Sequence, residues 1–209
     1  MKLYYFDTIN PRKACAVARY LNSPVDFVHV DMHKGEHKTP AFLAINPNGK
    51  VPAFSDGDLK LWEANAIMCH LAQKAGSDLW PRDDRQKIEL LRWLTWNSEH
   101  FTRHAGELYF QHIIKAKFSI GEPDAVAVKE ATGFFKKFAG VLNEHLRDRK
   151  YILGDTLTVA DFAIGITLPY ADRANISVGE FPEIARWHSR LNELPAWREP
   201  WPAEKAVAA

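Results

Sequence analysis

The amino-acid sequence predicts an α/β domain followed by an all-helical domain. Over roughly the first 75 residues, strand-like and helix-like patterns alternate, which is typical of a small mixed sheet covered by helices. Beyond Asp83 the apolar residues recur at helical spacing, and no convincing strand pattern appears. Residues 77–81 have the composition of a short linker. We therefore predict two domains, residues 1–76 and residues 83–209, in this chain of 209 residues.

The first domain carries its patterns in the order β-α-β-α-β-β-α. Strands are predicted over residues 2–6, 25–30, 51–54 and 59–62, and helices over residues 10–21, 39–45 and 63–75. Asn10 followed by Pro11 predicts an N-cap with proline at the first helical position. Asp56-Gly57 predicts a hairpin turn. Because Pro52 cannot donate to a sheet, its backbone should face an edge or a cleft.

Helices account for the whole second domain. One long helix is predicted over residues 84–117, and a second ends near residue 147. The first has apolar residues near one stripe, namely Ile88, Leu91, Leu94 and Trp96. Thr158 with Asp161 three residues later predicts a capping box, which has a folding role. A last helix is predicted to begin at residues 181–182 and to be closed by Pro195.

The bulk composition excludes several classes of protein. With 27 basic and 26 acidic residues, the net charge of +1 gives no electrostatic case for a nucleic acid or an anionic membrane as the main partner. No segment has the length of a membrane span, and the first residues lack a signal-peptide pattern. Cys15 and Cys69 are far apart, as expected of buried thiols in a reducing compartment. We expect a soluble cytoplasmic protein.

Three motifs follow one another along the chain: N-P-x-G-x-V-P-A from Asn46, E-A-N-A-I from Glu63, and T-V-A-D from Thr158. Together they resemble the cytosolic glutathione transferase superfamily over nearly the whole chain, with a phi- or theta-like N-terminal domain. The resemblance implies a thioredoxin-like first domain, a helical second domain, a homodimer, glutathione as co-substrate and no metal. It also implies conjugation of glutathione to a small hydrophobic electrophile, which is detoxification chemistry.

The resemblance also assigns contacts with glutathione. Val51 precedes a proline whose peptide bond is cis in the family, and its backbone is expected to pair with the cysteinyl part of glutathione, as an added strand would. Glu63 is expected to face the γ-glutamyl end, although an acid there also complements the helix dipole. His37, Lys38 and Lys50 match positions that contact glutathione in phi-like members. For these three, solvated surface charge is the alternative.

One residue departs from the family pattern. The acid is normally followed by a serine that holds the γ-glutamyl carboxylate, whereas this chain has Ala64. The backbone N–H remains an anion site at a helix start. A lost hydrogen bond to a charged group costs about 1.5–3 kcal/mol, which is roughly 10- to 100-fold in affinity. Asn65 is a candidate to replace part of it, so we expect glutathione binding to be weakened but present.

Catalysis in this family needs the glutathione thiol as a thiolate, because the thiolate is the nucleophile. Thr8-Ile9-Asn10 resembles the Thr-x-Asn segment of the nu class and of its fungal relatives, which often reduce disulfides with glutathione. Thr8 and Asn10 are therefore the candidates for thiolate contact, Asn10 through its side-chain N–H. The alternatives are a plain N-cap for Asn10 and a loop role for Thr8. Tyr5 is a third candidate by residue type, although core packing suits it better.

The electrophile has no readable motif. Asn97, Phe101 and His104 are predicted to line the cleft facing glutathione, with ordinary helix packing as the alternative. His100 and His104 do not form H-E-x-x-H, so no metal site is expected. The leading hypothesis is a glutathione transferase. Its rivals are a nu-like glutathione-dependent disulfide reductase or peroxidase, a glutathione-dependent lyase or dehalogenase, and a non-catalytic binding or scaffold protein of the same fold.

Overall fold

A computed structural model describes residues 1–202 of the chain. The chain forms two compact units. The first contains residues 1–75 together with residues 194–202, and the second contains residues 76–193. The sequence assigned residues 194–202 to the helical domain, whereas in the structure they pack with the α/β unit. Within residues 1–202, no helix combines the length and the apolar character that crossing a bilayer requires.

The first unit is built on a four-stranded mixed sheet, as predicted. The strands are β1 (Lys2–Tyr5), β2 (Asp26–His29), β3 (Ala53–Asp56) and β4 (Leu59–Trp62), in the spatial order β2-β1-β3-β4. β1 pairs with β2 in parallel and with β3 antiparallel, and β3 and β4 form the predicted hairpin. Leu3 lies opposite both Phe27 and Phe54, so apolar side chains occupy the centre of the sheet.

Three helices accompany this sheet: α1 (Ile9–Tyr20), α2 (Pro40–Leu43) and α3 (Ala64–Lys74). A 3₁₀ turn, Glu36–Lys38, precedes α2. α1 packs on α3 and β1, and Val17 and Ile67 are fully buried in this layer. This arrangement leaves the first turns of α1 and α3, with their unpaired backbone N–H groups, for other partners.

Three local boundaries differ from the sequence predictions. α1 begins at Ile9 with Thr8 as its extended N-cap, so Asn10 is the second helical residue and not the cap. Pro11 still lies in the first turn, where no backbone donor is needed. β3 begins at Ala53, so Pro52 precedes the strand and does not interrupt its ladder. Glu63 lies just before α3 and has a φ of 69°, in the left-handed region.

The second unit is helical throughout its regular structure. α4 (Asp84–Trp96), α5 (Thr102–Tyr109) and α6 (Lys115–Phe118) follow one another through π-helical segments at Asn97–Phe101 and Phe110–Ile114. The predicted single helix is therefore a continuous helical path with two wider turns. α7 (Ala125–His145), α8 (Val159–Ile164), α9 (Pro182–Leu191) and two 3₁₀ segments, Gly165–Tyr170 and Val178–Glu180, complete the unit.

Asp161 ties the helical unit together from a fully buried position. The predicted capping box is present: Oδ2 of Asp161 accepts a hydrogen bond from the backbone N–H of Thr158 over 2.9 Å. Its Oδ1 accepts from the N–H of Ile152 over 2.9 Å and from Nε1 of Trp187 over 3.0 Å. One carboxylate therefore joins α8, the loop before it and α9. Burial raises the pKa of Asp161 to about 6 even though these donors lower it.

The last described helix, α10 (Pro195–Arg198), packs on α1. The guanidinium of Arg12 donates to the backbone carbonyl of Trp197 and lies 5.4 Å from the centroid of its ring. Trp197 is fully buried. Beyond the helix, Trp201 stacks on Tyr5 with ring centroids 5.9 Å apart. The C-terminal segment therefore belongs to the packing of the first unit.

Candidate functional site

The first unit contains a cavity of about 210 Å³ with mainly polar walls. Its lining comes from three places: the first turn of α1, the loop before β3, and the start of α3. The lining residues are Asn10, Asn46, Asn48, Lys50, Val51, Pro52, Glu63 and Ala64. Five of the predicted contact residues therefore share one cavity, and Asn46, Asn48 and Pro52 complete its wall.

The α1 side of the cavity offers donors. The Thr8 hydroxyl makes no cap hydrogen bond to the helix, although Thr8 is the N-cap. Asn10 is exposed in the first turn and is one of the residues that line the cavity. Because Pro11 has no N–H, the backbone donors of this turn come from Ile9 and Asn10. The start of this 12-residue helix is suited to an anion.

The loop before β3 is held by Asn46, which is 2% exposed. Its Nδ2 donates to the carbonyl of Lys50 over 2.6 Å, and its Oδ1 accepts from the backbone N–H of Asn48 over 3.0 Å. Gly49 has a φ of 59°, and a Cβ there would lie 3.3 Å from the carbonyl oxygen of His37. The loop therefore needs Asn46 and Gly49 to bring Val51 to the cavity wall. The Val51-Pro52 bond is cis, as the resemblance implied.

At the start of α3 the cavity has an acid beside backbone donors. Glu63 is exposed, while Ala64 is 5% exposed and begins the helix. The left-handed φ of Glu63 is a strained conformation for a residue with a Cβ, and such strain is often found at binding sites. Asn65 accepts a hydrogen bond at Oδ1 from Nζ of Lys13 over 2.9 Å. Asn65 is not among the lining residues, but it directly follows Ala64, which is.

Four further candidates lie outside the cavity lining. Thr8 caps α1 next to it, and Asn65 follows Ala64. His37 and Lys38 belong to the 3₁₀ turn, and Nδ1 of His37 is buried without a hydrogen-bond partner among the described residues. Contact of these four residues with glutathione stays a prediction.

The three residues predicted for the electrophile have packing roles within the helical unit. Nδ2 of Asn97 donates to the carbonyl of Ala163 over 3.3 Å, and its Oδ1 accepts from the Thr102 hydroxyl over 2.7 Å. Phe101 is fully buried. His104 stacks on Phe134 at 4.7 Å, and burial lowers its pKa. Contact of the three with an electrophile stays a prediction.

Two important residues escaped the sequence reasoning. Asn46 begins one of the three motifs, but no role of its own was predicted for it, and its place in that motif was the available signal. Lys13 lies among the apolar residues of α1 and is 5% exposed. A charged residue on the buried face of an amphipathic helix was the signal, because lysine is rarely buried without a partner.

This sheet order, the cis proline beside a polar cavity, and the helical unit that follows together define a thioredoxin-like domain joined to an all-α domain. The chain belongs to the glutathione S-transferase family and is a glutathione transferase. The family's N-terminal domain matches residues 1–73, and its C-terminal domain matches residues 101–195. Both predicted features, the family and the fold, are confirmed.

Individual relatives agree with this assignment. Glutathione S-transferase 3 of Zea mays is 36% identical, with 92% of this chain and 87% of the relative covered. Glutathione S-transferase F9 of Arabidopsis thaliana is 33% identical, with 95% of each covered. A glutathione S-transferase-I structure with lactoylglutathione has a TM-score of 0.87 at 27% identity. The match covers 95% of this chain and 97% of the other. A Burkholderia graminis glutathione transferase structure with two glutathione molecules per subunit has a TM-score of 0.83 at 26% identity. The match covers 98% of this chain and 88% of the other.

Proposed function

We propose that the polar cavity of the first unit binds glutathione and that the start of α1 activates its thiol for transfer to a small hydrophobic electrophile. The observation that carries this proposal is the set of groups around one cavity. Glutathione has one ammonium, two carboxylates, two amides and a thiol. Glu63 is suited to the ammonium, Lys50 and the start of α3 to the carboxylates, and the backbone at Val51 to an amide.

Each end of glutathione has its own partners in this proposal. The carboxylate of Glu63 binds the γ-glutamyl ammonium, and the N–H of Ala64 binds the γ-glutamyl carboxylate at the start of α3. The backbone of Val51 pairs with the cysteinyl residue. Lys50 binds the glycine carboxylate, with His37 and Lys38 of the neighbouring 3₁₀ turn as further contacts to it.

The thiol then lies at the start of α1. A free thiol has a pKa near 8.5, so about two units of lowering, roughly 2.7 kcal/mol, make the thiolate dominant at neutral pH. The Thr8 hydroxyl, the Asn10 side-chain amide and the helix dipole supply donors and positive potential to the sulfur. The thiolate attacks the electrophilic carbon, a C–S bond forms, and the leaving group departs with its bonding electron pair.

A second candidate activity is the reduction of disulfides. It is favoured by the Thr8-Ile9-Asn10 segment and by the likeness to the Burkholderia graminis transferase, whose structure contains two glutathione molecules per subunit. The bound thiolate would attack one sulfur of the substrate disulfide, forming a mixed disulfide and releasing one thiol. A second glutathione thiolate would then attack, giving glutathione disulfide and the second thiol, so the electrons balance with two glutathione molecules.

The proposed assembly is a homodimer. Ile88 and Leu91 on α4 are 65% and 46% exposed, and Val141 on α7 is 49% exposed. Val141 also lines a groove of about 240 Å³ with Arg92, Trp93, Trp96 and His145. We call Ile88, Leu91 and Val141 the apolar face. Its exposure supports pairing with a second copy, because apolar side chains grouped on a surface often mark a protein–protein interface.

The proposed location is the cytoplasm. Cys15 and Cys69 are both free thiols, and burial raises their pKa values, that of Cys69 to about 12. Two unreactive, unpaired thiols suit a reducing compartment. Small hydrophobic electrophiles that reach such a compartment are the proposed substrates, and detoxification is the proposed role.

The deciding experiment is a calorimetric titration of the purified protein with reduced glutathione, followed by product analysis. We expect saturable binding in the micromolar to low-millimolar range, which is about −8 to −4 kcal/mol. Conjugation predicts one glutathione per subunit and a thioether product with an activated aryl chloride. Disulfide reduction predicts two per subunit and formation of glutathione disulfide. No binding at any tested concentration would overturn the proposal.

A further inference from the structure

A buried lysine holds the side chain of Asn65, the residue that follows the cavity-lining Ala64. Lys13 is 5% exposed, and its Nζ donates to Oδ1 of Asn65 over 2.9 Å. α1 packs against α3, α10 and β1. The charged group that acts on Lys13 is Glu63, immediately before α3. β1 and α10 carry one charged residue each, Lys2 and Arg198, and Glu63 is the charge that raises the pKa of Lys13. An ammonium kept in such a position is expected to have a function, because burying it is costly.

The chemistry of this contact fixes the orientation of Asn65. An ammonium group has three donors and no acceptor, so only the oxygen of the Asn65 amide can face it. The amide nitrogen therefore points away from Lys13 as a donor. Such a donor forms a strong, charge-assisted hydrogen bond with a carboxylate. Asn65 is also adjacent to Ala64, where the family pattern has a serine hydroxyl.

We propose that Lys13 is a positioning residue that orients Asn65 so that its amide nitrogen takes the place of the hydroxyl donor missing at Ala64. This inference rests on the proposed glutathione function. Nδ2 of Asn65 donates to the γ-glutamyl carboxylate, beside the backbone N–H of Ala64. The carboxylate of Glu63 in turn opposes the cost of burying the Lys13 ammonium, because it raises the pKa of that group.

This arrangement makes glutathione affinity dependent on pH. Burial lowers the pKa of Lys13 from 10.5 to about 8, although Glu63 raises it. A neutral amine can accept as well as donate, so the orientation of Asn65 is no longer enforced once Lys13 loses its proton. We therefore expect affinity to fall as the pH rises through about 8, in addition to any titration of the ligand itself.

A double-mutant cycle with Lys13→Met and Ala64→Ser tests whether the amide nitrogen of Asn65 takes the place of a hydroxyl donor at position 64. Calorimetry with S-methylglutathione, whose sulfur cannot ionise, measures the dissociation constant of each variant. We expect Lys13→Met to weaken binding about tenfold, because a charge-assisted hydrogen bond is misplaced. Ala64→Ser should restore most of this loss in the Lys13→Met background and give a smaller gain in the unchanged chain. Additive effects would overturn the inference, since distant, independent sites add.

The conservative variant Lys13→Arg separates positioning from general packing. Arginine is also donor-only and does not titrate in this range, so it should keep the orientation of Asn65. We expect Lys13→Arg to bind S-methylglutathione within about threefold of the unchanged chain at pH 7, a difference within ordinary mutational scatter. The alkaline fall in affinity attributable to Lys13 should be absent. Because the ligand titrates identically with both proteins, their difference isolates Lys13. Identical pH profiles would contradict the proposal.

The matched control is Lys74→Met, on α3 but in an ion pair with Asp56 at 2.5 Å. It should leave both the affinity and its pH dependence unchanged. Thermal unfolding of every variant identifies any that does not fold, and Lys13→Arg supplies the second test if Lys13→Met is one of these. If the unchanged chain binds no glutathione, the proposed function fails. If it binds and Lys13→Met binds equally well, only the inference about Lys13 fails.

Discussion

Lys13 shows how a single residue can be suited to the site and unsuited to the fold. Its pKa is about 8 in the folded chain and 10.5 as the ordinary value. Between these values the unfolded state binds more protons, so the stability contributed by Lys13 rises with pH. At pH 7 the folded state retains a buried charge at a cost of about 3 kcal/mol. A site residue kept at such a cost is a stability–function compromise.

Replacing this charge should stabilise the protein. We expect Lys13→Met to raise the free energy of unfolding at pH 7 by up to about 3 kcal/mol, offset by the lost contact with Asn65. The gain should shrink as the pH approaches 10, where the lysine is neutral in the folded chain. Chemical denaturation across this range measures it. Lys74→Met, at an exposed ion pair, should change stability by less than about 1 kcal/mol. A loss of stability at all pH values would refute the burial argument.

Thr8 and Asn10 are distinguished from Tyr5 by what surrounds them. Tyr5 contacts three rings, those of Phe27, His29 and Trp201. Thr8 is half-buried and Asn10 is exposed, and the Thr8 hydroxyl makes no cap hydrogen bond to α1. Side chains in that situation are available to a ligand.

Removing either donor should therefore raise the pKa of the bound glutathione thiol. We expect Thr8→Ala or Asn10→Ala to raise it by about one unit, the equivalent of one hydrogen bond to a charged group. The ultraviolet absorbance of the thiolate, followed against pH in the complex, measures the shift. Tyr5→Phe is the control and should leave this pKa unchanged. A shift with Tyr5→Phe alone would move the activating role to Tyr5.

At the scale of elements, the position of α8 depends on the hydrogen bonds that the carboxylate of Asp161 accepts. Four donors converge on Asp161, from Ile152, from the backbone and hydroxyl of Thr158, and from Trp187. Removal of the carboxylate leaves several buried donors without an acceptor, and this is more costly than the loss of a single exposed bond.

We expect Asp161→Ala to lower the free energy of unfolding of the helical unit by about 3–5 kcal/mol. Asp161→Asn keeps one acceptor oxygen and should cost less. Asp155→Ala, at an exposed residue 3.8 Å from Lys150, is the matched control and should cost less than about 1 kcal/mol. Urea denaturation compares the three, and equal losses for Asp161 and Asp155 would be the contrary result.

The C-terminal segment contributes to the α/β unit from the far end of the chain. Trp197 is fully buried against α1, and Arg12 contacts both its ring and its carbonyl. Since α1 also carries Asn10 and Lys13, this packing supports a helix that forms part of the proposed site.

We expect Trp197→Ala to destabilise the α/β unit by about 3–5 kcal/mol through loss of a buried aromatic side chain. Hydrogen exchange measured by mass spectrometry should show the loss of protection in α1 and β1. Trp62→Ala, at a tryptophan that is 42% exposed on β4, is the control and should have a much smaller effect. Loss of protection confined to α4–α9 would contradict this assignment of the C-terminal segment.

At the scale of the whole molecule, the apolar face bears on assembly. Sequence periodicity placed Ile88 and Leu91 near one apolar stripe with Leu94, but the buried residues of α4 are Leu90, Trp93 and Leu94. An apolar pair outside the core of one chain is well placed to be covered by another chain.

We expect light scattering to give twice the mass of one chain, and Leu91→Glu to shift the equilibrium toward the monomer by at least about tenfold, because an unpaired charge would be buried. Ile120→Glu, at another exposed apolar residue outside the apolar face, is the control. If the unchanged protein is a monomer, the apolar face has another function and the homodimer proposal is wrong.

Much of this organisation was readable from the sequence. Strands, helices and the capping box follow from residue patterns because they depend on neighbours a few positions away. Val51 and Glu63 were singled out through short motifs, and both line one cavity, although their contact with glutathione stays a prediction. The boundaries at Thr8, Pro52 and Glu63 were missed by one or two residues, since the choice of cap depends on how the chain enters the helix.

Contacts between distant segments had to come from the tertiary structure. The sequence by itself determined an α/β unit, a helical unit and a resemblance to glutathione transferases. Only the fold decided that residues 194–202 return to the first unit, and that Lys13 meets Asn65 across 52 positions. The physical reason is that burial and pairing are properties of a side chain's neighbours in space. A lysine on an amphipathic helix therefore looks like an irregularity until its partner on another helix is known.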